Sequence, residues 1–558
     1  MNSSPERRRV LAAVALAATA VYARTVSFQF LLDDVLLIVE NHLLKSWASL
    51  PRLLSTEFVS AAVGHAGRFC YFRPVTSLYF FLQYRLWGEH AGPFHLTGVL
   101  LHAAVSALLY ACLRRDWNPR AAAAAALAFA VLPVHVDAVV NIASQTEVLA
   151  LLGMLGAWWF LGPEAPGRRE TALGLLCFAA AAGSKEPAVL FPAAYAAADW
   201  TLRGRRPDHP ARRAVYAGLG AVLVLFLIAR TAVAGTGLKG GLPYFAGVSW
   251  PVRLLTLAGF WARHYLVPLV TGAFQGIDFT QPLLPLASPG DPAAWALLLG
   301  GLAIVGAAAR EFPRRSPWAF WLFLAALFLL PSSQLLNETD TIGAERYLYA
   351  PSLAWCAAIG WAADRGSRSR WTAPALAALL LWYGGRTLLR SGIWSDELSF
   401  FTASVRENPV AASPRYSLGV ALIRSGRTAE GEAQLRRALE LGPREPGVYY
   451  NIGRLAWERG DLQGAEAAFR SALRLQADDA DTLTALGMLA ERRGAAAEAE
   501  ARYREAVASR PWDPRARYSL GRLLAAQGRK EAASHLREFL RLAPDDPLAP
   551  AARRLLKE

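Results

Sequence analysis

The stretch YNIGRLAWERGDLQGAEAAFRSALRL, residues 450–475, contains two glycines, Gly453 and Gly460, that recur at a constant interval. Each glycine belongs to a set whose members are spaced by 34 residues. The first set is Gly419, Gly453, Gly487 and Gly521, and the second is Gly426, Gly460, Gly494 and Gly528. The first set follows large apolar residues, whereas the second ends helix-length runs. Two glycine sets with one period indicate a helical repeat.

Small and bulky residues recur with the same period. Alanines form two further sets, with bulky residues between them: Ala465, Ala499 and Ala533; Ala438, Ala472 and Ala506; and Leu435, Phe469 and Tyr503. Pro443 and Pro511 are expected to stop the second helices of their units. This pattern resembles the tetratricopeptide repeat (TPR). We predict an α-solenoid of four TPR repeats and a capping helix over 412–558, with a concave face suited to peptides.

The chain before the repeats has a membrane composition. Of the 558 residues of the full chain 54% are hydrophobic, and the long uncharged stretches lie within residues 1–392. A spanning helix needs about 20 mostly apolar residues. Eleven candidate spans lie near 9–26, 94–113, 120–138, 141–161, 171–187, 187–203, 214–234, 292–310, 317–336, 344–363 and 372–390. The sequence predicts a multi-pass membrane domain over 1–392, with a first outer loop at 27–93, and then a linker at 393–411.

Clusters of basic residues set the predicted orientation. They occur at 7–9, 114–120, 168–169, 203–213, 310–316 and 364–370. Positive residues in short loops mark the cytoplasmic side of the membrane. All six clusters fall on that side only if the apolar stretch 253–272 does not span the membrane once by itself. The first loop and the repeats are then both outside. Because these clusters hold many of the positive charges behind the net +15, we predict no nucleic-acid partner.

The first outer loop begins with FQFLLDDVLLIVENH, residues 28–42, which contains two adjacent acids, Asp33 and Asp34. An acid beside a membrane-embedded helix end is a functional hypothesis, because a charge is costly there. The competing interpretation is a pair of solvated loop acids at the start of an amphipathic segment. A carboxylate next to an acceptor hydroxyl is suited to act as general base in a displacement at a sugar carbon.

Further polar residues are predicted at the outer face. They are Arg73, His95, His135, Asp137, Glu147, Lys185, Glu186, Glu345 and Arg346. Their convergence predicts a cavity for an anionic, amphiphilic substrate. Lys185, Arg346 and Arg73 are candidates for binding a departing phosphate, since cations stabilise its developing charge. His95 and His135 lack a third ligand with convincing spacing, so no metal site or other cofactor is assigned, and a divalent metal stays an alternative.

Several motifs together resemble a known family. FLLDDVLLIVENH, YFRPVTSLYFFLQYRLWGEHAGPFHLTGVLLH, FAVLPVHVDAVVNIASQTEVLALL, GSKEPAVLFP and AERYLYAPSLAW occur in this order. They look like membrane glycosyltransferases of the GT-C fold, and more closely like the transmembrane and TPR protein O-mannosyltransferases. The resemblance covers nearly the whole chain. It departs at Gln145, where relatives often carry Arg, and at Thr97, where they often carry Asn.

The resemblance implies a lipid-phosphate-linked sugar donor, an outward catalytic site and transfer to a protein hydroxyl. It implies that Asp33 and Asp34 are the catalytic pair, one acting as base and one positioning the acceptor. The low lysine and high Ala and Arg content favours a GC-rich bacterial genome. The expected location is then the bacterial inner membrane, with the TPR domain in the periplasm and a polyprenyl-phosphate sugar as donor.

Three alternatives stay open. One is a non-catalytic membrane scaffold whose repeats assemble an envelope complex. Another is a GT-C transferase that modifies a lipid or glycan rather than a protein. A transporter is disfavoured, because it predicts charged residues near the bilayer midplane, whereas these charges cluster at the outer helix ends.

Overall fold

The computed structural model describes residues 5–59, 71–205, 210–235, 245, 247–273, 286–336, 342–442, 445–544 and 546–557. Every regular element in these ranges is helical, which confirms the predicted all-α fold class. The chain divides into two compact units, Met1–Glu407 and Asn408–Glu558. The predicted helix stop at Pro443 lies outside the described residues.

The first unit is a bundle in which one long helix, α4, packs against three others, α1, α5 and α7. Its described α-helices are α1 (Pro5–Tyr22), α2 (Leu50–Leu54), α3 (Pro74–Trp87), α4 (Ala91–Asp116), α5 (Pro119–Val131), α6 (Val136–Val140), α7 (Gln145–Leu161), α8 (Arg168–Ser184), α9 (Phe191–Thr201), α10 (Pro210–Ala234), α11 (Trp250–Trp261), α12 (Val267–Thr271), α13 (Pro292–Glu311), α14 (Pro317–Leu329), α15 (Leu353–Arg365), α16 (Thr372–Ser391) and α17 (Glu397–Glu407).

Four helices in the described ranges are long and apolar enough to cross a membrane. They are Pro5–Ser27, Ala91–Asp116, Arg212–Ala234 and Pro292–Glu311. A fifth is counted if the pair Pro119–Val131 and Pro133–Val140, bent by 52°, is one span. Pro133 lies at this bend, and proline breaks helices because it lacks an N–H and its ring clashes with the preceding turn. Several such helices are typical of a multi-pass membrane protein, and the number eleven stays a prediction.

Other predicted spans are interrupted by short turns. The segment 187–203 contains the 3-10 turn Glu186–Leu190 and then the short α9. The segment 344–363 begins with the 3-10 turn Glu345–Leu348. The ambiguous stretch 253–272 lies within the helices α11 and α12, which are joined by the π-helical turn Ala262–Leu266 and end at Gly272 in a left-handed conformation with φ of 68°. Interrupted helices leave backbone groups that side chains can bind, and two of these turns flank the site described below.

The centre of the bundle depends on alanine. In α5 nine residues are buried, seven of them alanines, and α5 packs closely against α15. A Cβ on Gly360 of α15 would lie only 2.5 Å from the carbonyl oxygen of Ala121. Small residues let helix backbones approach this closely. The helix α5 therefore packs tightly at the centre of the bundle and positions the 3-10 turn Pro133–His135 that follows it.

The first unit extends to Glu407, where the sequence predicted a linker over 393–411. The side chains of Trp394 and Phe400 are buried in its apolar core. Arg390 donates to Glu345 and to Glu407, with distances of 2.8 and 2.9 Å. The helix α17 is therefore fixed to the rest of the first unit by packing and by a buried ion pair.

The second unit consists of consecutive helix pairs. Its described helices are α18 (Ala412–Arg424), α19 (Thr428–Leu441), α20 (Pro446–Glu458), α21 (Leu462–Leu475), α22 (Ala480–Arg492), α23 (Ala496–Ser509), α24 (Pro514–Ala526), α25 (Ala532–Leu542) and α26 (Ala549–Leu555). The last helix covers most of the predicted cap. Helices pack in the order α18 with α19, α20 with α21, α22 with α23 and α24 with α25, as four TPR units require.

The two glycine sets have different physical roles. A Cβ on Gly487 would lie 2.5 Å from Cε1 of Tyr503, and one on Gly453 would lie 2.7 Å from Cε1 of Phe469. These glycines let the two helices of a unit touch. The second set has left-handed backbone, for example φ of 77° at Gly494, which terminates the first helix of each unit at low cost because glycine lacks a Cβ.

Neighbouring units are also joined by a repeated ion pair. Glu432 and Glu466 are spaced by 34 residues, and each pairs with an arginine 27 residues further on, Arg459 and Arg493. The distance from Glu466 Oε2 to Arg493 Nη1 is 2.8 Å. The arginines are exposed to solvent, so each pair contributes little to stability. The glycine contacts therefore determine the packing within each TPR repeat, and these ion pairs help to set the register between successive repeats.

The two glycine roles predict unequal effects of substitution. We expect Gly487→Val to lower the free energy of unfolding of the repeats by about 3 kcal/mol, because a side chain overpacks the contact with Tyr503. Gly494→Ala should cost about 1 kcal/mol, because it strains a left-handed residue without a clash. Urea dependence of proteolysis within the repeats of the full chain measures both. Equal losses at the two positions would contradict the assignment.

Candidate functional site

The two adjacent acids have opposite environments. Asp34 is buried, with 1% of its surface exposed, whereas Asp33 is exposed. The Asp34 carboxylate accepts hydrogen bonds from the backbone N–H groups of Leu31, at 3.2 Å, and Ala143, at 2.7 Å. Leu32 has φ of 53°, a conformation that costs a non-glycine residue about 1–2 kcal/mol. This strained turn directs one acid into the protein and leaves its neighbour outside.

Burial alters the acidity of Asp34. Desolvation raises the pKa of its carboxyl to about 7, although the N–H groups of Ala143 and Leu31 favour the charged form. A carboxyl group with this pKa is present in both protonation states near neutral pH. Such a group is suited to accept a proton in one step and release it in the next.

Two of the predicted cations form ion pairs with predicted acids. The Arg73 guanidinium donates from Nε and Nη2 to Glu186 Oε2, at 3.0 and 2.8 Å. Lys185 pairs with Glu147, and both side chains are largely buried. Arg73 precedes α3, Glu147 is in the first turn of α7, and Lys185 follows α8. Three separate parts of the chain therefore converge here.

The third predicted cation joins the same group through an aromatic ring. Arg346 Nη1 lies 3.3 Å from Asp137 Oδ2, and the backbone N–H of Arg346 donates to the same oxygen. The Tyr347 ring centre lies 5.5 Å from the Arg346 guanidinium and 5.6 Å from Lys185 Nζ. Lys185 is also within electrostatic range of both Arg73 and Arg346. Arg346 and Lys185 thus meet at Tyr347, and Arg73 joins the cluster through its pair with Glu186, the residue after Lys185.

A single short segment, residues 137–147, connects the buried acid to the cations. It runs from α6 through the 3-10 turn Ile142–Ser144 into α7. Asp137 contacts Arg346, the N–H of Ala143 binds Asp34, and Glu147 pairs with Lys185. Asn141 Nδ2 and Ser144 Oγ also donate to Asp137, which fixes the turn. We call residues 137–147 the connecting segment.

Of the two departures from the family pattern, Gln145 belongs to this segment and Thr97 lies on α4. Gln145 is fully buried, accepts a hydrogen bond from the Tyr79 hydroxyl at 2.6 Å, and donates to the carbonyl oxygen of Phe94 at 3.1 Å. Thr97 donates to Gln83 Oε1 at 2.6 Å. Gln145 therefore binds the connecting segment to α3 and α4, and Thr97 binds α4 to α3.

Two predicted outer-face residues have internal packing roles instead. His135 is fully buried, and its ring nitrogens contact the carbonyl oxygen of Phe129 at 3.0 Å and Ser352 Oγ at 2.8 Å. Glu345 binds Arg390 in the ion pair that holds α17. Both lie beside site residues in sequence but take partners away from the cation cluster, because the 3-10 turns at these positions direct neighbouring side chains apart.

His95 lies at the segment that leads to Asp34. Its Nε2 is 3.3 Å from the carbonyl oxygen of Gln29, and its ring packs edge-on against Phe28. Among the described residues, no three His, Cys, Asp or Glu side chains are grouped to hold a metal ion. His95 therefore supports the approach to Asp34 through packing and a backbone contact.

Sequence reasoning missed several members of the site. Asn141, Ser144 and Tyr347 were not among the predicted residues, although Tyr347 directly follows Arg346. Asp137 was predicted at the outer face, but its partner Arg346 lies 209 residues away in sequence, so residue spacing gives no signal for that contact.

Comparison with known proteins identifies two regions. The family model described as dolichyl-phosphate-mannose-protein mannosyltransferase matches residues 73–230. A tetratricopeptide-repeat model matches residues 416–480 and 484–547. The first match contains Arg73, the connecting segment, Lys185 and Glu186, whereas Asp34 and Arg346 lie outside it. The candidate site thus extends beyond the matched region at both ends, with Asp34 before it and Arg346 after it.

Curated relatives match most of the chain. Protein O-mannosyl-transferase TMTC4 of Mus musculus is 27% identical over 73% of this chain and 63% of its own length. TMTC3 of the same organism is 25% identical over 75% of this chain and 49% of its own length. F38B6.6 of Caenorhabditis elegans is 24% identical over 76% of this chain and 61% of its own length.

The family resemblance predicted from the sequence is thereby confirmed. The chain resembles the transmembrane and TPR O-mannosyltransferases, with a GT-C-type helical membrane unit followed by a TPR solenoid. It spans between 49% and 63% of the length of these curated relatives. Among solved structures, a crystal structure of MamA protein is 21% identical, covers 26% of this chain and 81% of its own, and has a TM-score of 0.23.

Proposed function

We propose that this chain is a membrane glycosyltransferase that transfers a sugar from a polyprenyl-phosphate donor to a hydroxyl group of a protein. The observation that carries the proposal is the connecting segment, which binds a buried carboxylate of raised pKa and two of three clustered cations. The names of the relatives favour mannose as the sugar.

The proposed reaction assigns a step to each group. Asp34 accepts the proton of the acceptor hydroxyl while the oxygen of that hydroxyl forms a bond to the anomeric carbon of the sugar. The bond between that carbon and the phosphate oxygen breaks, and its electron pair stays on the leaving phosphate. Arg73, Lys185 and Arg346 stabilise the charge that develops there. Asp33, exposed beside the base, positions the acceptor.

Arg346 is the proposed direct phosphate contact. Its side chain is 25% exposed, compared with 13% for Arg73 and 10% for Lys185. The more buried pairs hold the cluster in place, and burial strengthens the electrostatic interactions of their charges. Guanidinium groups bind phosphate in a bidentate manner, which suits a residue at the opening of the site.

The proposed location is the bacterial inner membrane, with the site and the TPR repeats on the periplasmic side. The distribution of basic residues supports this orientation. A lipid-linked donor keeps the chemistry at the membrane, and the repeats offer a surface that binds the acceptor protein.

The test is transfer of radiolabelled sugar from a panel of polyprenyl-phosphate donors by membranes that contain the full chain. We expect label in protein that resists extraction with organic solvent, and loss of this label with Asp34→Asn. Label in an extractable lipid or a free glycan would support the alternative transferase. Folded protein that transfers from no donor would overturn the proposal in favour of a scaffold.

Transfer should depend on the protonation of Asp34. Since burial raises the pKa of this carboxyl to about 7, the base form is depleted in more acidic solution. We expect the initial rate to rise about tenfold per pH unit well below pH 7 and to level off above it. Initial rates at fixed donor concentration measure this profile. A flat profile across this range would contradict the assignment of Asp34 as base.

A further inference from the structure

A second group of charges lies at the other end of the bundle from Asp34. The helix α4 has 26 residues and is therefore about 39 Å long. Its first turns, at Phe94 and His95, contact the site region. Its last turn carries Arg115 and Asp116. Four arginines and two aspartates of the described chain come together there: Arg115, Arg203, Arg205, Arg212, Asp116 and Asp199.

One buried acid serves three of these arginines. Asp199 lies 3.0 Å from Arg203, 3.5 Å from Arg205 and 3.5 Å from Arg212. Asp116 pairs more loosely with Arg203, at 3.8 Å. Among the described residues of this group, four guanidinium groups and two carboxylates leave a net charge of +2. Desolvation and then the charges of Arg212 and Arg203 lower the pKa of Arg205, as expected where positive charge is in excess.

The end of α7 compensates this excess only in part. Arg212 and Arg205 donate to the carbonyl oxygens of Leu161 and Gly162, and Arg115 donates to that of Trp159. The carboxyl end of a helix is equivalent to about half a negative charge. The cluster therefore keeps a positive charge of more than one unit, which an added anion would neutralise.

An apolar cavity opens beside this cluster. Its empty volume is about 640 Å³ including the open mouth, and it lies between α4, α7, α9 and α14. Its walls include Leu109, Leu155, Phe191, Phe320, Leu324 and Phe328. Among the described lining residues only Asp116 is charged, and it lies at the arginine end. The cavity is therefore suited to a hydrocarbon chain.

Two arginines lie next to residues that line the cavity: Arg115 precedes the lining residue Asp116 in sequence, and Arg203 pairs with Asp116. A Cβ on Gly162 would lie 2.7 Å from Arg115 Nη1 and 3.5 Å from Arg203 Nη2. The Arg203 guanidinium lies 4.7 Å above the ring of Trp158, which lines the cavity. Arg203 is largely buried, whereas Arg115 is exposed. Gly162 thus marks a point where two guanidinium groups converge beside apolar walls.

We infer that this cavity and the arginine cluster together form a binding site for an anionic phospholipid of the membrane leaflet opposite the proposed catalytic site. An acyl chain lies among the apolar walls, and the phosphate binds Arg115 with Arg203 behind it. A free phosphate ion would leave the apolar cavity unexplained, and a zwitterionic lipid would leave the excess positive charge. Basic pockets between membrane helices bind anionic headgroups in this manner.

The test is native mass spectrometry of the full chain released from nanodiscs that contain equal amounts of phosphatidylglycerol and phosphatidylcholine. We expect wild type to retain phosphatidylglycerol at least about fivefold over phosphatidylcholine. This ratio corresponds to a difference in binding free energy of about 1 kcal/mol. Arg115→Gln should abolish the preference. Leu324→Trp, which fills the cavity, should lower retention of both lipids. Arg365→Gln is the matched control, because this exposed arginine lies over the Trp361 ring at 4.6 Å, as Arg115 lies over the Trp159 ring, but is not one of the four arginines of the cluster.

Three results would overturn the inference. One is equal retention of the two lipids by wild type. Another is an unchanged preference in both Arg115→Gln and Leu324→Trp, provided that these variants elute as folded monodisperse protein. The third is loss of bound phosphatidylglycerol when inorganic phosphate is added, because a site for phosphate alone would release the lipid.

Discussion

Replacing Asp34 with asparagine is expected to lower the rate of sugar transfer by about 100-fold to 10,000-fold, the usual contribution of a general base. The amide side chain has the same size and its oxygen still accepts one hydrogen bond, from the N–H of Ala143 or of Leu31. It does not accept a proton near neutral pH. Initial rates with saturating donor, in membranes with matched amounts of protein, measure the effect.

The neighbouring acid provides the control. Asp33 is exposed, so Asp33→Asn leaves the buried hydrogen bonds intact and should reduce the rate less than Asp34→Asn does. We expect the loss at Asp33 to be expressed mainly in KM for the acceptor, since this residue is proposed to position it. A larger loss of kcat at Asp33 than at Asp34 would reverse the two roles.

The second large effect is expected at Lys185. Removal of this lysine leaves the Glu147 carboxylate without its partner in a largely buried position. Breaking a buried ion pair in this way costs about 3–5 kcal/mol. We expect Lys185→Met to lower the unfolding temperature strongly, as measured by thermal unfolding of the purified chain in detergent, and also to abolish transfer.

Two variants separate stability from activity at this pair. In Lys185→Met/Glu147→Met no buried charge remains, so most of the stability should return, whereas transfer should stay lost because the cation is absent. Lys45→Met is the matched control, since its partner Glu89 is exposed and such pairs contribute about 1 kcal/mol or less. If the double variant recovered activity, Lys185 would be a structural residue only.

The repeat half of the fold follows from sequence more completely than the site does. The 34-residue period contains both glycine roles, because close helix contacts and left-handed helix ends each exclude other residues. Periodicity reports local structure of this kind. It does not report that Trp394 and Phe400 pack into the membrane unit, since that packing depends on residues distant in sequence, and so a linker was predicted there.

The site was predictable by residue type but not by partner. The sequence marks Arg73, Lys185 and Arg346 as cations at helix ends, and the structure brings them together. It does not distinguish Asp33 from Asp34, because the turn at Leu32 determines which acid is buried. It also does not separate Arg346 from Glu345, two adjacent residues whose side chains bind different partners.

The arginine cluster at the other end of α4 shows the same limit. Its basic residues predict a cytoplasmic loop, which is a statement about topology. The sharing of Asp199 among three arginines and the adjoining cavity depend on how α7, α9 and α10 meet. Charge counted along the sequence therefore gives the side of the membrane, and only the packing indicates a binding site.

The most direct test of the central claim is mass spectrometry of serine and threonine residues in membrane proteins from cells that produce the wild-type chain or Asp34→Asn at equal levels. The account predicts peptides that carry a single hexose on a hydroxyl side chain with wild type, and their absence with Asp34→Asn. The same modified peptides in both samples would contradict a transferase in which Asp34 is the base.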